Sequence, residues 1–220
     1  MRYFAPVFVF VLSFFISGCN LVTMCESSVR GSGVEKAEQR TVGNFKGIEV
    51  SGACDVQVTC GKTTSVEISG DDNIVPLIKT EVKNGVLNIW HEGSINPKTK
   101  LTVTVTTPDL QSVSSSGACD IVVNNLSNEA FTVDVSGAGS VEARGTTGKL
   151  TINISGATDV ITKDLKAKKV EIDVSGASNA EVFASEELRA DVSGVGNITY
   201  HGNPSVVDQN VSGVGSISKK

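Results

Sequence analysis

The sequence predicts an all-β parallel solenoid, a stack of coils of about 19 residues, from three observations. The first is a repeated corner. Ser51-Gly52-Ala53-Cys54-Asp55 returns as Ser116-Gly117-Ala118-Cys119-Asp120, Ser136-Gly137-Ala138-Gly139-Ser140, Ser155-Gly156-Ala157-Thr158-Asp159, Ser175-Gly176-Ala177-Ser178-Asn179, Ser193-Gly194-Val195-Gly196-Asn197 and Ser212-Gly213-Val214-Gly215-Ser216. From Ser116 onward the steps are 20, 19, 20, 18 and 19 residues, and self-similarity at a near-fixed period marks stacked units that bury no core singly. The second is alternation before the corners, in Val133-Asp134-Val135, Ile152-Asn153-Ile154, Ile172-Asp173-Val174 and Ala190-Asp191-Val192, the period-two pattern of a half-buried strand. The third is a lack of room, since a βαβ unit with its crossover helix needs about 30 residues or more.

Taken in order, the chain opens on a secretory signal. Arg2 precedes an apolar run from Phe4 to Ile16, and Ile16-Ser17-Gly18-Cys19 closes it. A positive start, a short apolar stretch and small residues before a cut make residues 1–18 a signal peptide, too short to span a membrane. The cysteine after the cut resembles the bacterial lipobox, so Cys19 is the expected lipid anchor and the membrane the first partner. Asn20 behind it points to the outer membrane and leaves open which leaflet the protein faces. Residues 19–40, with Ser27-Ser28, Gly31-Ser32-Gly33 and Glu35-Lys36, read as a flexible tether, and 41–220 as one domain. Inside it Val66-Glu67-Ile68-Ser69-Gly70-Asp71-Asp72-Asn73-Ile74 extends the repeat backward, with a weaker echo at Leu87-Asn88-Ile89-Trp90-His91. Lys83-Asn84-Gly85 between apolar runs is a hairpin signal, so residues 75–112 either continue the helical path or leave it as antiparallel strands. Beyond Ser116 the coils are regular, with a second short strand opening at Val141, Val160, Ala180, Ile198 and Ile217. Small residues let the chain turn sharply at each corner, where glycine supplies positive φ if required.

Composition limits the partners. Cleavage after Gly18 leaves 18 basic against 24 acidic residues, a net charge of −6, with no electrostatic reason to seek nucleic acid or an anionic membrane surface. Five aromatics remain, Phe45, Trp90, Phe131, Phe183 and Tyr200, so the core is Val, Ile and Leu. With Cys19 assigned to lipid, Cys25, Cys54, Cys60 and Cys119 are left, an even number in an exported chain. Cys54 and Cys60 lie about 20 Å apart if Val56 and Val58 join them in one strand, beyond disulfide reach. Cys54 and Cys119 share one slot of identical corners. They can bridge if the residues between them make one long excursion, and cannot if those residues make three ordinary coils; otherwise they are two small buried thiols.

Stacking also aligns outward residues. Two places before each corner Ser stand Glu49, Glu67, Ser114, Asp134, Asn153, Asp173, Asp191 and Asn210; four places after it stand Asp55, Asn73, Asp120, Ser140, Asp159, Asn179, Asn197 and Ser216. Such columns, Asp134, Asp173 and Asp191 above all, are either solvated structural ladders or a surface for Ca²⁺ or sugar hydroxyls. Glu171, Arg189 and Asp208 stack beside them with alternating sign, which favours the structural alternative. No metal ligand set stands out, and the Gly-x-Asp nonapeptide of Ca²⁺-binding solenoids is absent. Catalysis finds little support: His91 and His201 are the only histidines, and neither lies in a nucleophile motif.

The stretch Phe45-Lys46-Gly47-Ile48-Glu49-Val50-Ser51-Gly52, the Asp71-Asp72-Asn73-Ile74 segment, the hairpin-like run from Glu81 to Ile89 and the serial Ser-Gly-Ala/Val-Gly corners resemble the head GIN domain of autotransporter adhesins, a family found in lipoproteins of the Bacteroidetes. The resemblance covers about residues 41–217. It implies a right-handed parallel β-helix and a cell-envelope, adhesin-like role without catalytic residues. It also implies glycine where Cys54 and Cys119 stand, which puts a disulfide between them in play. The leading expectation is thus a non-catalytic lipoprotein that binds a glycan or a surface protein. Behind it stand a structural module of the envelope, associating end to end or edge to edge, and, least favoured, a β-helical polysaccharide-degrading enzyme.

Overall fold

The structure, a computed structural model, describes residues 28–220; the expected signal peptide, Cys19 and Cys25 lie outside them. The chain forms β1 (Val29–Arg30), β2 (Glu35–Arg40), β3 (Gly47–Val50), β4 (Asp55–Cys60), β5 (Ser65–Asp71), a 3₁₀ turn at Val75–Leu77, β6 (Ile78–Lys83), β7 (Val86–His91), β8 (Ile95–Asn96), β9 (Thr102–Thr107), β10 (Ser112–Ser115), β11 (Ala118–Val135), β12 (Ala138–Ile154), β13 (Ala157–Val174), β14 (Ala177–Val192), β15 (Val195–His201), β16 (Val206–Val211) and β17 (Val214–Lys219). From β10 onward every neighbour in the stack is parallel. The fold is a parallel β-solenoid.

The alternation in sequence becomes columns in space. Phe131, Leu150, Val170, Leu188 and Val207 stack in register, as do Val135, Ile154, Val174, Val192 and Val211. All are buried except Val207 and Val211, each 43% exposed on the last coil. Burying one such side chain is worth about 1.5–3 kcal/mol, and a parallel solenoid repeats that gain coil after coil.

The corners use glycine for a different reason from the expected one. Gly117, Gly137, Gly156, Gly176, Gly194 and Gly213 do not adopt positive φ. They stack directly: a Cβ on any of them would fall inside the carbonyl oxygen of the corner glycine one coil earlier. Small size, rather than backbone freedom, is what these positions need. Among the corners, positive φ belongs only to Gly52 and Gly139, at 119° and 123°.

The N-terminal part departs from several expectations. The stretch read as tether contributes β1, parallel to β8, and β2, antiparallel to β5, so the folded body starts near residue 29 rather than 41. Glu35–Arg40 is polar and mostly exposed, the composition of a linker; it is held by edge pairing that composition does not reveal. Ser69-Gly70 is not a corner, because β5 runs antiparallel between β2 and β9, and Glu67 and Asn73 drop out of the ladders with it. Residues 75–112 combine both alternatives. Asn84 and Gly85, both at positive φ, turn the antiparallel β6–β7 hairpin, while β7 also lies parallel to β3, setting the Trp90-His91 echo beside Ser51-Gly52. β10 then stacks on the other side of β3, Val113 opposite Ile48. The first two corners are therefore neighbours, with Ala118 N–H donating to Gly52 O at 2.8 Å.

Asp71 fastens this cap. Its buried carboxylate accepts backbone N–H groups from Gly33 at 2.6 Å, Lys98 at 2.8 Å and Thr99 at 3.1 Å. Burial works to raise its pKa, but the donors of Thr99, Gly33 and Lys98 outweigh it and hold the carboxyl below the usual range.

Candidate functional site

Both outward ladders are real columns, one residue per coil. The first runs Glu49, Ser114, Asp134, Asn153, Asp173, Asp191, Asn210 in register. The second runs Asp120, Ser140, Asp159, Asn179, Asn197, Ser216 and is internally bonded: Ser140 Oγ donates to Asp120 at 2.6 Å, Asn179 to Asp159 at 3.1 Å, Asn197 to Asn179 at 3.3 Å and Ser216 to Asn197 at 2.8 Å. Those side chains satisfy one another, which is structural work.

The first column has a different setting. Asp134, Asn153 and Asp173 share an open groove of about 290 Å³ with the corner serines Ser136, Ser155 and Ser175 and with Ser114 at its N-terminal end. Here one step of the column is bonded, Asn153 Nδ2 to Asp134 Oδ1 at 2.6 Å. Ser136 and Ser175 donate their hydroxyls to carbonyls of the preceding coil, those of Ser115 and Ile154, at 3.5 and 3.2 Å, which leaves their oxygens as acceptors. Asp173 has its carboxyl raised by partial burial first, then by Asp191 and Glu171. The groove is thus rich in acceptors and acidic. Asp191 continues the column above it without lining it. The repeat alone marks these serines as corner residues; their part in the groove follows from standing two places after each ladder residue.

Flanking the column, Lys149–Glu171, Lys169–Glu187 and Arg189–Asp208 pair at 2.7, 2.9 and 3.4 Å. This alternating row consumes its own charge, as exposed pairs of small net worth do. A second groove beside Phe183 is covered by Lys166, whose ammonium sits 3.9 Å from the ring centroid, so that ring is no open stacking platform. His91 Nδ1 lies 3.0 Å from Gly93 O, and its ring packs where a Cβ on Gly52 would fall. His201 approaches Glu181 at 3.9 Å. Neither histidine faces the groove. Among the described residues no group of three or more His, Cys, Asp or Glu side chains converges as a metal site.

The slot of Cys54 and Cys119 points inward. Down the stack it is filled by Cys119, Gly139, Thr158, Ser178, Gly196 and Gly215 in register. Where the slot carries a donor, that donor reaches the corner glycine carbonyl of the coil before it: Cys119 to Gly52 at 3.3 Å, Thr158 to Gly137 at 3.2 Å and Ser178 to Gly156 at 3.1 Å.

The comparisons agree with this architecture. The family model described as "Putative auto-transporter adhesin, head GIN domain" matches residues 44–204. The chain belongs to the head GIN domain family. A solved "putative adhesin" of Bacteroides fragilis superposes with a TM-score of 0.72 at 25% identity, covering 88% of this chain and 100% of the other. A "putative adhesin" of Parabacteroides distasonis (TM-score 0.51, 24% identity) and a "Putative lipid binding protein" of the same species (TM-score 0.53, 17% identity) each cover 88% of this chain and 100% of their own, and share the fold. No functionally curated protein matches. As a head GIN domain, the chain is an adhesin-like protein of the cell envelope or surface.

Proposed function

We propose that this head GIN domain is a non-catalytic adhesin module, tethered to the envelope by lipid on Cys19, which holds an extended, hydroxyl-rich glycan along the groove of Asp134, Asn153 and Asp173. The observation that carries the proposal is the groove's hydrogen-bonding sense. Carboxylates and the Ser136 and Ser175 hydroxyls, whose protons go to the preceding coil, present acceptors, and sugar hydroxyls are donors that can satisfy them without bringing charge. Asp134 and Asp173 stand two coils apart, about 10 Å, so an extended polymer meets two carboxylates along its path. Among the described residues the nearly continuous strands offer no long loops to wall a catalytic cleft around the adjacent carboxylates of Asp173 and Asp191. Ca²⁺ is a weaker occupant than a glycan, because the column supplies one side chain per coil where the ion wants six to eight oxygens around one point.

The test is binding of the full-length protein to immobilised neutral and acidic polysaccharides. The wild type is expected to retain neutral polymers and reject acidic ones, and Asp134→Asn/Asp173→Asn/Asp191→Asn to weaken retention about tenfold or more, which corresponds to about 1.4 kcal/mol, at a melting temperature within a few degrees of wild type. Undiminished binding by the triple variant, or turnover of any polymer, would overturn the reading. For the anchor, Cys19→Ala should move the protein out of the membrane fraction; retention there would refute it.

End-to-end association is a weaker reading. The exposed edge of the last coil favours it, but the register puts Gln209 in the column of Ala190 and Lys219 in that of Tyr200. Polar residues in core columns suit an end that meets water.

A further inference from the structure

The described part of the head GIN domain has two bodies of different character, an irregular cap and a regular solenoid, and one side-chain pair joins them at the seam. Ile121 pairs with Val56, so two residues earlier Cys119 stands directly beside Cys54. In-register parallel neighbours lie about 4.8 Å apart, inside the 4.4–6.8 Å range of disulfide-bonded Cα atoms. Both side chains point inward and are buried, at 4% and 9% exposure. In the structure they are thiols, with Cys119 Sγ donating to Gly52 O at 3.3 Å. Cys60 is no rival partner, since it stands six residues along β4 from Cys54, about 20 Å away.

We propose that Cys54 and Cys119 form a disulfide in the exported protein, a staple between the cap and the first regular coil. The elements β4, β5, β6, β7, β8, β9 and β10 all lie between the two cysteines, so the bond closes the cap from β4 onward into one loop against the solenoid. Solenoids need such protection at their ends, and this cap is held by its buried core, edge pairing and the Asp71 cradle rather than by repeats. The chemistry balances as an exchange with the disulfide of an envelope thiol–disulfide oxidoreductase. The Cys119 thiolate attacks one sulfur of that disulfide and expels the other as thiolate. The Cys54 thiolate then attacks Cys119 Sγ and releases the first. Two electrons and two protons leave the cysteine pair and appear on the oxidoreductase as a dithiol.

The experiment uses full-length protein purified from the cell envelope without reductant, denatured in the presence of an alkylating agent and digested. Because Cys54 and Cys60 lie in one stretch between Lys46 and Lys62, a Cys60→Ser variant makes the assignment unambiguous. The expected product is a Cys54–Cys119 cross-linked peptide. Cys54 and Cys119 both recovered alkylated, or either one joined to a different cysteine, would overturn the proposal. Melting with and without a phosphine reductant gives a second readout. Reduction should lower the wild-type melting temperature by about 5–15 °C, the scale expected for opening a loop of this length in a domain of this size, and should leave Cys119→Ala unmoved. A wild type insensitive to reductant, or a Cys119→Ala variant that remains as sensitive, would refute the staple.

Discussion

Substituting alanine for Gly156 separates the steric account of the corners from the conformational one. Gly156 sits mid-stack and does not adopt positive φ, so its backbone conformation alone would accept alanine. The added Cβ, however, would fall inside Gly137 O and stand 2.9 Å from the carbonyl carbons of Gly137 and Ser136, all of it backbone that cannot swing aside. Relief requires the two coils to part at this corner by more than an ångström. That movement stretches the bond from Ala157 N–H to Gly137 O, 3.0 Å, and strains the one from Ser155 N–H to Val135 O, 2.8 Å. Overpacking costs about 1–3 kcal/mol and each of the two weakened hydrogen bonds about 0.5–1.5 kcal/mol, together about 2–6 kcal/mol. In a domain of this size the melting temperature should fall by roughly 5–25 °C. Gly43→Ala is the control, because its Cβ meets nothing within 4 Å and its φ is not positive; it should be neutral or stabilising by about 0.4–1 kcal/mol through the unfolded chain. Thermal denaturation followed by circular dichroism reads both. If Gly156→Ala melts with Gly43→Ala, stacking does not explain the corner glycines.

Two further outcomes are expected. Ile154→Asp places a carboxylate in a column position only 2% exposed and should cost several kcal/mol, whereas Asn153→Asp, one residue earlier and facing the groove, should cost about 0.5 kcal/mol or less apart from its bond to Asp134; equal melting temperatures would contradict the strand register. Asp71, with its pKa held low in the folded state, contributes stability that is present above its unfolded value of about 3.9 and is lost as pH falls through the depressed folded value. Asp71→Asn puts an amide donor against backbone donors, so it should be less stable near pH 7 and lose less than wild type on acidification from pH 5 to 2.5; parallel melting curves for the two proteins over that range would refute the cradle.

The regular half of the fold was legible because each coil repeats one local constraint, and the pattern from Asp134 to Asn210 fixes register and facing without knowledge of any partner. The cap was not, for a physical reason. β5 looks like a corner strand in Val66-Glu67-Ile68-Ser69-Gly70, yet it pairs antiparallel with β2 and β9, residues more than twenty positions away on either side. Nothing local in Ser69-Gly70 distinguishes it from Ser51-Gly52. Likewise the polar run Glu35–Arg40 reads as linker because its place is set by backbone bonds, which leave no mark on side-chain choice.

The same distinction governs the candidate site. At the corner, glycine is imposed by the glycine one coil earlier, so its recurrence carries no information about a ligand. The serine before it is bound to the architecture as well, through hydroxyls that reach back to the preceding coil at Ser136 and Ser175. Two places earlier the constraint relaxes: Glu49, Ser114, Asp134, Asn153, Asp173, Asp191 and Asn210 share a column but not a side chain, and the fold is satisfied by any of them. Charge is therefore free to vary along this column, and it does so unevenly, with the neutral Asn153 separating two carboxylates at the centre of the groove while Asp173 and Asp191 stand adjacent, and the Asp173 carboxyl is raised above its ordinary range by partial burial first and by Asp191 second. An architecture indifferent to the choice would give no reason to keep two like charges side by side, about 1 kcal/mol apart from neutrality even in bulk water. That unrelieved pair, at the edge of an acceptor-lined groove, is the feature of the column that packing leaves unexplained and a hydroxyl donor from outside would relieve.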